Sequence, residues 1–208
     1  MMAAPRLYGT SDSVYVRIAR LALAEKGVAH ELVPVDPFAP GGPPESYLRH
    51  HPFGRIPALE HEGFWLYETG AITRYVDDAF AGPSLQPTGA RERARMNQII
   101  GIADAYAYRP LVWGVYVERV EKPASGRVCD EPRLAAALVE AGTCLSAIAA
   151  LMGEGPFLAG ARLSLADLHL APMIDYFRRA PEGAALMAAH PGLARWWERM
   201  AGRAQTPV

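Results

Sequence analysis

The fold is decided by the stretch His51-Pro52-Phe53-Gly54-Arg55-Ile56-Pro57-Ala58-Leu59 and by the stretch Tyr67-Glu68-Thr69-Gly70-Ala71-Ile72 that follows it. The first predicts a turn and then a strand that is entered at Pro57. A buried strand rarely begins at proline, because proline has no amide hydrogen to donate to a sheet ladder. A cis Ile56–Pro57 bond would fit this position and would leave the backbone of Ile56 open to pair with something outside the protein.

The second stretch predicts the end of a strand and a helix that begins at Glu68-Thr69. A helix N-terminus attracts anions, because its first backbone amides have no partner within the helix. A carboxylate and a hydroxyl at this position, near the open backbone of Ile56, indicate a site for a small peptide-like ligand. Such a ligand would carry both an amine and carboxylates.

Strand and helix signals surround these stretches in a recognisable order. We predict strands at Arg6–Tyr8, Glu31–Val35, Ala58–Glu60 and Trp65–Tyr67, helices at Val14–Lys26 and Thr69–Phe80, and a helical turn at Glu45–Arg49. This order predicts an α/β thioredoxin-like N-terminal domain over residues 1–81, in which a right-handed crossover joins two parallel strands. Pro34 should place the second strand at the edge of the sheet.

A second domain follows a linker rich in proline and glycine. From Ala90 onward the strand signals vanish and long helical patterns remain, which predicts an all-α C-terminal domain over residues 90–208. Ser164 and Asp167 match a capping box, in which a serine N-cap is followed three residues later by a carboxylate. They predict a helix start, and loss of the serine cap should cost ~1 kcal/mol.

Charge, apolar runs and cysteine spacing argue against nucleic-acid, membrane and metal partners. The chain has 208 residues and a net charge of −1, so nothing suggests nucleic acid or a membrane as a partner. The N-terminus lacks the apolar core of a signal peptide and no run approaches bilayer length, so we expect a cytoplasmic protein. Cys129 and Cys144 form no CxxC pair, and no histidines lie at metal-ligand spacing, so we expect reduced thiols and no metal. Cys129, in a loop-like stretch, could alternatively be a reactive thiol.

The two opening stretches resemble the glutathione-binding segment of cytosolic glutathione transferases, with its pattern Asn-Pro-Phe-Gly-Gln-Val-Pro-Ala-Leu and later Glu-Ser-x-Ala-Ile. This chain has His51, Arg55 and Thr69 in place of the asparagine, glutamine and serine. The resemblance extends over the whole chain and points to serine-type, bacterial and phi-like members. It implies a detoxification enzyme, a cytoplasmic homodimer, that conjugates the thiolate of reduced glutathione to an apolar electrophile.

The resemblance also implies roles in binding glutathione. Glu68 would take the ammonium of the γ-glutamyl group, and Thr69 would hold its carboxylate. The backbone of Ile56, before Pro57, would pair with the cysteinyl unit. Arg55 and His51 are candidates for the glycyl carboxylate, although an arginine in a turn is usually just solvated. Glu68-Thr69 could alternatively be ordinary complementation of a helix dipole.

Ser13 is the candidate that activates the thiol. The pattern Tyr-Gly-x-x-x-Ser-x-x-x-Arg of serine-type members matches Tyr8, Gly9, Ser13 and Arg17. Lowering a thiol pKa of ~8.5 by about two units takes roughly 2.7 kcal/mol. One charged hydrogen bond of ~1.5–3 kcal/mol and a helix N-terminus of ~0.3–1 kcal/mol can supply it. Ser11 is a competing hydroxyl in the same loop, and a purely capping role for Ser13 is the alternative.

Four residues of the second domain are candidates for the electrophile site. Tyr106, Arg109, Trp113 and Tyr116 are spaced by three, four and three, which predicts one face of an α-helix. Such a face either packs in a core or dimer interface, or forms a wall for an apolar electrophile, where Arg109 could steady developing negative charge. Pro110 would kink this helix if it is continuous.

Two other functions stay open. The phi-like pattern has a His-Lys pair where this chain has Gly42 and Pro43, a departure that favours a weakly catalytic or non-catalytic binding or scaffold protein on the same fold. A third possibility keeps glutathione but changes the reaction to isomerisation, peroxide reduction or dehalogenation. Nothing in the sequence chooses among these reactions.

Overall fold

The computed structural model describes residues 4–205, without the side chain of Gln205. The chain divides between Ser84 and Leu85 into two compact units, called here the amino-terminal unit and the helical unit. This division falls within the linker predicted from composition.

The amino-terminal unit is a four-stranded sheet with helices. Its elements are β1 (Arg6–Tyr8), α1 (Val14–Glu25), β2 (Glu31–Val33), α2 (Glu45–Leu48), β3 (Ala58–His61), β4 (Phe64–Tyr67) and α3 (Thr69–Ala79). The strand order is β2-β1-β3-β4, with β1 and β2 parallel and the other pairs antiparallel. The thioredoxin-like architecture is therefore confirmed, with each predicted element within two residues of its observed bounds.

The strand registers bring three chain segments to one end of the sheet. Tyr8 at the end of β1 lies opposite Ala58 at the start of β3, and Ala58 in turn lies opposite Tyr67 at the end of β4. The segments that continue from these residues are Gly9 to Ser13, Ile56-Pro57 and Glu68-Thr69. Antiparallel pairing thus gathers the predicted ligand-binding segments at one sheet end. As predicted, β2 is an edge strand; it ends one residue before Pro34.

The helical unit contains no strand of two or more residues between Leu85 and Gln205. Its helices are α4 (Ala90–Ile102), two π-wound segments π1 (Ala103–Ala107) and π2 (Arg109–Glu121), α5 (Lys122–Ala124), α6 (Glu131–Met152), α7 (Leu165–Phe177), α8 (Pro181–Ala188) and α9 (Pro191–Gln205). Every described residue of α7 is buried, so this helix forms the centre of the unit.

The winding of π1 and π2 corrects one expectation. The backbone N–H of Tyr108 bonds to the carbonyl of Ala103, and that of Lys122 to the carbonyl of Val117, five residues back in each case. A π-helix has more residues per turn than an α-helix, so spacings of three and four do not keep side chains in line. The prediction that Tyr106, Arg109, Trp113 and Tyr116 share one face of an α-helix is therefore wrong, because the winding here is π-helical. The chain remains helical through Pro110.

The predicted capping box is present at the start of α7. Asp167 Oδ2 accepts hydrogen bonds of 2.8 Å from both the backbone N and the Oγ of Ser164. Asp167 Oδ1 accepts two more of 2.8 Å, from the backbone N of Leu158 and from Nε1 of Trp196. The carboxylate thus joins the start of α7 to the preceding loop and to α9.

Helix α6 corrects the expectation that no apolar run is long enough to span a membrane. This helix has 22 residues and a window of mean hydropathy 1.9, so it is long and apolar enough to cross a membrane by length and composition. The expectation that no run approaches that length is wrong. Leu134, Ala141, Leu145 and Ile148 are buried on one side of α6, and the helix packs against π2. A core helix of a folded unit passes the same test.

Candidate functional site

Ser13 lies at the N-terminus of α1, at the sheet end described above. It is half-buried and is the N-cap residue, and its Oγ accepts a hydrogen bond from the backbone N of Val16 at 3.5 Å. This distance is long for an N–H···O bond. Because the hydroxyl oxygen accepts this contact, the hydroxyl hydrogen remains available to donate to an anion. Capping and thiolate stabilisation are therefore compatible roles.

Ser11 differs from Ser13 in its setting. Ser11 is exposed in the turn that precedes α1, whereas the backbone N of Ser13 bonds to the carbonyl of Thr10 at 3.2 Å. Ser13 is the N-cap of α1, whereas Ser11 lies two residues before it in the turn.

Gly9 makes the Ser13 loop pass close to the Ile56-Pro57 segment. A Cβ atom at Gly9 would lie 2.4 Å from Val16 Cγ2 and 3.2 Å from Ile56 Cβ, and the residue has φ +152°. Only glycine fits such a close approach and such a backbone conformation. The contact fixes the start of α1 against the residue whose backbone is predicted to pair with ligand.

A buried tyrosine holds the backbone of Arg55 by a hydrogen bond. Tyr47 is 4% exposed, and its hydroxyl donates a 2.6 Å hydrogen bond to the carbonyl of Arg55. Burial raises the pKa of Tyr47, so this hydroxyl keeps its proton. The Ile56–Pro57 peptide bond is cis, Pro57 is buried and the side chain of Arg55 is exposed.

His51 is buried inside this segment. Only 2% of it is exposed, and its ring stacks on Tyr67 with centroids 4.6 Å apart. Burial lowers its pKa, and the positive charge of Arg55 acts in the same direction, whereas Glu68 and its own backbone carbonyl oppose them. The imidazole is therefore neutral and packed at neutral pH. The charges of Glu68 and Arg55 both act on its pKa.

Glu68 and Thr69 open α3 in a strained conformation. Glu68 has φ 69° and ψ 113°, which is uncommon for a residue other than glycine, and its side chain makes no capping hydrogen bond. Its carboxylate is exposed at the helix N-terminus, while Thr69 is 7% exposed as the first helical residue. Such strain persists only where the surrounding structure enforces it, and it is frequent at binding sites.

The structure separates the four candidates for the electrophile site. Tyr106 is 68% exposed on π1, and Arg109 and Trp113 are exposed on π2. Tyr116 instead is half-buried, and its ring centroid lies 4.6 Å from that of Tyr176. Tyr116 therefore packs inside the helical unit, whereas the other three present their side chains outward.

Sequence reasoning missed Arg179, which contacts Tyr116, and its ion-pair partner Asp175. The guanidinium of Arg179 lies 4.6 Å from the ring centroid of Tyr176 and 5.8 Å from that of Tyr116, and it pairs with Asp175 at 2.9 Å. The spacing of four residues between Asp175, in α7, and Arg179, just after the end of α7, was the available signal. The contact with Tyr116 joins distant parts of the sequence and has no local signal.

No metal centre is evident in residues 4–205. Within them, no group of three or more His, Cys, Asp or Glu side chains could hold a metal ion. Cys144 is buried and donates from Sγ to the carbonyl of Tyr106 at 3.1 Å, and burial raises its pKa. The pKa of Cys129 is also raised, by desolvation first and then by Glu131, which disfavours a reactive thiolate there.

Comparisons with known proteins agree with this geometry. Residues 7–84 match the family profile described as the glutathione S-transferase N-terminal domain, and residues 131–199 match that of the C-terminal domain. Glutathione S-transferase F13 of Arabidopsis thaliana is 30% identical over 202 residues, covering 96% of this chain and 92% of the relative. Glutathione S-transferase 4 of Zea mays is 33% identical over 205 residues, covering 97% and 91%.

A solved structure is also similar to this chain. Glutathione S-transferase I from maize, in complex with an atrazine glutathione conjugate, has a TM-score of 0.84 and 26% identity, covering 97% of this chain and 93% of that chain. The fold, both family profiles and the two plant relatives lead to one conclusion. The chain belongs to the glutathione S-transferase family and is a glutathione transferase, with glutathione as its co-substrate.

Proposed function

We propose that the Ser13 hydroxyl activates glutathione by donating a hydrogen bond to its sulfur. The observation that carries this proposal is the position of Ser13 at the N-cap of α1, with an oxygen that accepts from Val16 N at 3.5 Å and a hydrogen left for an anion. Donation to the sulfur favours the thiolate and lowers the thiol pKa. The thiolate then attacks the electrophilic atom of an apolar substrate, and the leaving group departs with its bonding electrons.

The tripeptide binds along the sheet end of the amino-terminal unit in this proposal. Glu68 takes the ammonium, Thr69 the γ-glutamyl carboxylate, and the backbone of Ile56 the cysteinyl unit. Arg55 provides an exposed guanidinium for the glycyl carboxylate, while the buried His51 supports the segment rather than reaching the ligand. The strained Glu68 backbone and the hydrogen bond that fixes the Arg55 carbonyl support this arrangement.

The electrophile contacts the helical unit in this proposal, through Tyr106, Arg109, Trp113 and Tyr116. The exposed rings of Tyr106 and Trp113 offer apolar surface, and Arg109 offers positive charge for a developing anion. Tyr116 adds a half-buried ring that packs against Tyr176 at a tilt, with centroids 4.6 Å apart.

The test compares Ser13→Ala, Ser13→Thr and Ser11→Ala. Ser13→Ala should lower kcat/KM for an aromatic halide at least about tenfold and raise the pKa of bound glutathione, because the thiolate loses its donor. Ser13→Thr keeps a hydroxyl and should retain most of the rate. Ser11→Ala is the matched control, since it removes the other hydroxyl of the same loop.

Stability must be measured beside the rate, because Ser13→Ala also removes a helix cap worth ~1 kcal/mol. Thermal unfolding with and without glutathione separates the two effects. Unchanged turnover in Ser13→Ala, or an equal loss in Ser11→Ala, would refute the role of Ser13.

The proposal includes a cytoplasmic homodimer with no nucleic-acid or membrane partner. Exposed phenyl rings on the amino-terminal unit, Phe53 at 70% and Phe64 at 50%, offer apolar area for a second copy. Analytical ultracentrifugation should give twice the mass of the 22.6 kDa chain. A single species at the mass of one chain, over a wide concentration range, would contradict the dimer, and partition into the membrane fraction of lysed cells would contradict the location.

A further inference from the structure

A buried histidine fastens the π1 segment to the core of the helical unit. His169 in α7 is 0% exposed, and its Nε2 lies 2.8 Å from Oδ1 of Asp104 in π1. An ionised carboxylate can only accept a hydrogen bond, so the imidazole donates from Nε2. The side chain of Asp104 is 41% exposed, so this bond joins the buried helix to the surface of π1.

A buried thiol fastens π1 at a second point. Cys144 in α6 donates from Sγ to the carbonyl of Tyr106 at 3.1 Å. In an α-helix this carbonyl would accept from the backbone N of Pro110, four residues further on, but proline carries no amide hydrogen. Burial raises the pKa of Cys144, so the thiol keeps the proton that it donates. Cys144 therefore supplies a donor to a carbonyl that Pro110 cannot serve.

These two bonds act on the backbone that carries one exposed ring. Tyr106 is 68% exposed, so neighbouring side chains cover little of its ring, and the position of the ring depends on the π1 backbone. The anchors of π1 come from two different helices and reach residues that are separated by a single position. Short π-wound segments are frequent at functional sites. A segment held at two points from buried helices can present an outward side chain at a constant place.

We propose that His169 and Cys144 are positioning residues for the electrophile, which they influence by holding π1 and hence the ring of Tyr106. This inference rests on the proposed contact between Tyr106 and the electrophile, and it adds two buried residues that need not touch substrate. Neither residue acts on glutathione in this proposal. The expected signature is therefore a rise in KM for the electrophile, with KM for glutathione preserved.

The first measurement is hydrogen exchange of the amides of residues 103–107, followed by mass spectrometry without substrate. Asp104→Ala breaks the His169 bond from its exposed end, which spares the packing of α7. Asp104→Ala and Cys144→Ala should each speed the exchange about tenfold, because a segment that has lost an anchor opens more often. Asp104→Asn keeps an acceptor oxygen and Cys144→Ser keeps a donor hydroxyl, so both should exchange more slowly than the alanine variants.

The second measurement is steady-state kinetics with glutathione and a nitro-substituted aryl chloride. KM for the aryl chloride should rise about threefold to tenfold in Asp104→Ala and in Cys144→Ala, while KM for glutathione changes less than about twofold. The asparagine and serine variants should recover most of the loss. A purely structural role would lower stability without this split between the two substrates. Glu198→Ala, which removes a carboxylate from an exposed position of α9, is the matched control in both measurements.

Tyr106→Ala in the same assay separates the positioning role from the contact on which it rests. If this variant leaves KM for the aryl chloride unchanged, the proposed contact fails and the positioning role fails with it. If Tyr106→Ala raises that KM, the positioning role is still overturned by either of two results. One is unchanged exchange in π1 of both alanine variants, and the other is faster exchange with a KM for the aryl chloride that rises no more than KM for glutathione.

Discussion

The hydroxyl of Tyr47 and the carbonyl of Arg55 are joined by a 2.6 Å hydrogen bond inside the amino-terminal unit. This bond fixes the backbone immediately before Ile56, where the ligand is proposed to pair. The position of that backbone therefore depends on a buried side chain of α2, which itself need not touch glutathione.

Tyr47→Phe should weaken glutathione binding more than it slows the reaction. The change leaves the Arg55 carbonyl without its donor, which costs about 1–3 kcal/mol when the group is buried. KM for glutathione should rise about threefold to tenfold, with a smaller change in kcat. Tyr75→Phe removes an equivalent hydroxyl from His61 and serves as the control; an equal rise in KM there would remove the specific role of Tyr47.

Lys26 and Asp77 should prove essential to the stability of the amino-terminal unit. Both side chains are 3% exposed, and Lys26 Nζ donates to Asp77 Oδ1 at 3.0 Å and to the backbone carbonyls of Asp77 and Pro83. Lys26→Met removes the ammonium from a buried carboxylate and should lower the free energy of unfolding by about 3–5 kcal/mol. Urea unfolding followed by circular dichroism measures the loss.

The exposed ion pair Arg6–Glu31 is the control for the stability cost of breaking the buried Lys26–Asp77 pair. Its side chains are 46% and 61% exposed, so solvent screens the pair and Arg6→Gln should cost far less stability than Lys26→Met. Lys26→Met combined with Asp77→Leu should regain part of the lost stability, since neither charge of this pair is then left buried without the other. Equal costs for the buried and the exposed pair would contradict this account.

Ser164→Ala should destabilise the helical unit. The change removes the N-cap of α7 and one of the four donors that surround Asp167, and the expected loss is ~1–2 kcal/mol. Asp167→Ala leaves all these buried donors without an acceptor and should cost more. Urea unfolding is again the measurement, and Ser46→Ala, at an exposed position of α2, should change stability by less than about 0.5 kcal/mol.

His51 should make the protein less stable as the pH falls. Burial lowers its folded-state pKa below the ordinary 6.5, so the unfolded chain takes up a proton first as the pH drops below 6.5. The free energy of unfolding therefore decreases below that pH and levels off under the folded-state pKa. Urea unfolding at about pH 7.5 and about pH 5.5 should show a smaller decrease in His51→Asn than in the parent protein.

His30 shifts in the same direction, so part of the acid sensitivity should remain in His51→Asn. The exposed neighbour His50, changed to Asn, is the matched control. A His51→Asn protein that loses as much stability between the two pH values as its parent would show that His51 does not titrate as described.

Local patterns were sufficient for most of the amino-terminal unit. Pro57 and Glu68-Thr69 mark the boundaries of elements that the structure contains, because turns and helix starts are determined by neighbouring residues. The capping box of Ser164 and Asp167 belongs to the same class. The resemblance then linked these elements to glutathione, which the patterns alone described only as a peptide-like ligand.

Contacts between distant parts of the sequence could not be predicted. Nothing near Lys26 indicates that it reaches Asp77 and Pro83, and nothing near Trp196 indicates that it donates to Asp167. The winding of π2 was missed for a related reason, because the spacing of Trp113 and Tyr116 was interpreted with α-helical geometry. Packing against α6 and α7, which the local sequence does not reveal, accompanies this winding.

Gly9 has a consequence for any mutational survey of this enzyme. Even alanine there would collide with Val16 and Ile56, so we expect a library of all substitutions to return glycine alone at this position. The residue offers no reactive group, yet its replacement should abolish activity as completely as the loss of a nucleophile would. The failure of every substitution at Gly9 would reflect a steric requirement. A survey that interpreted it as a catalytic role would assign the active centre to the wrong residue.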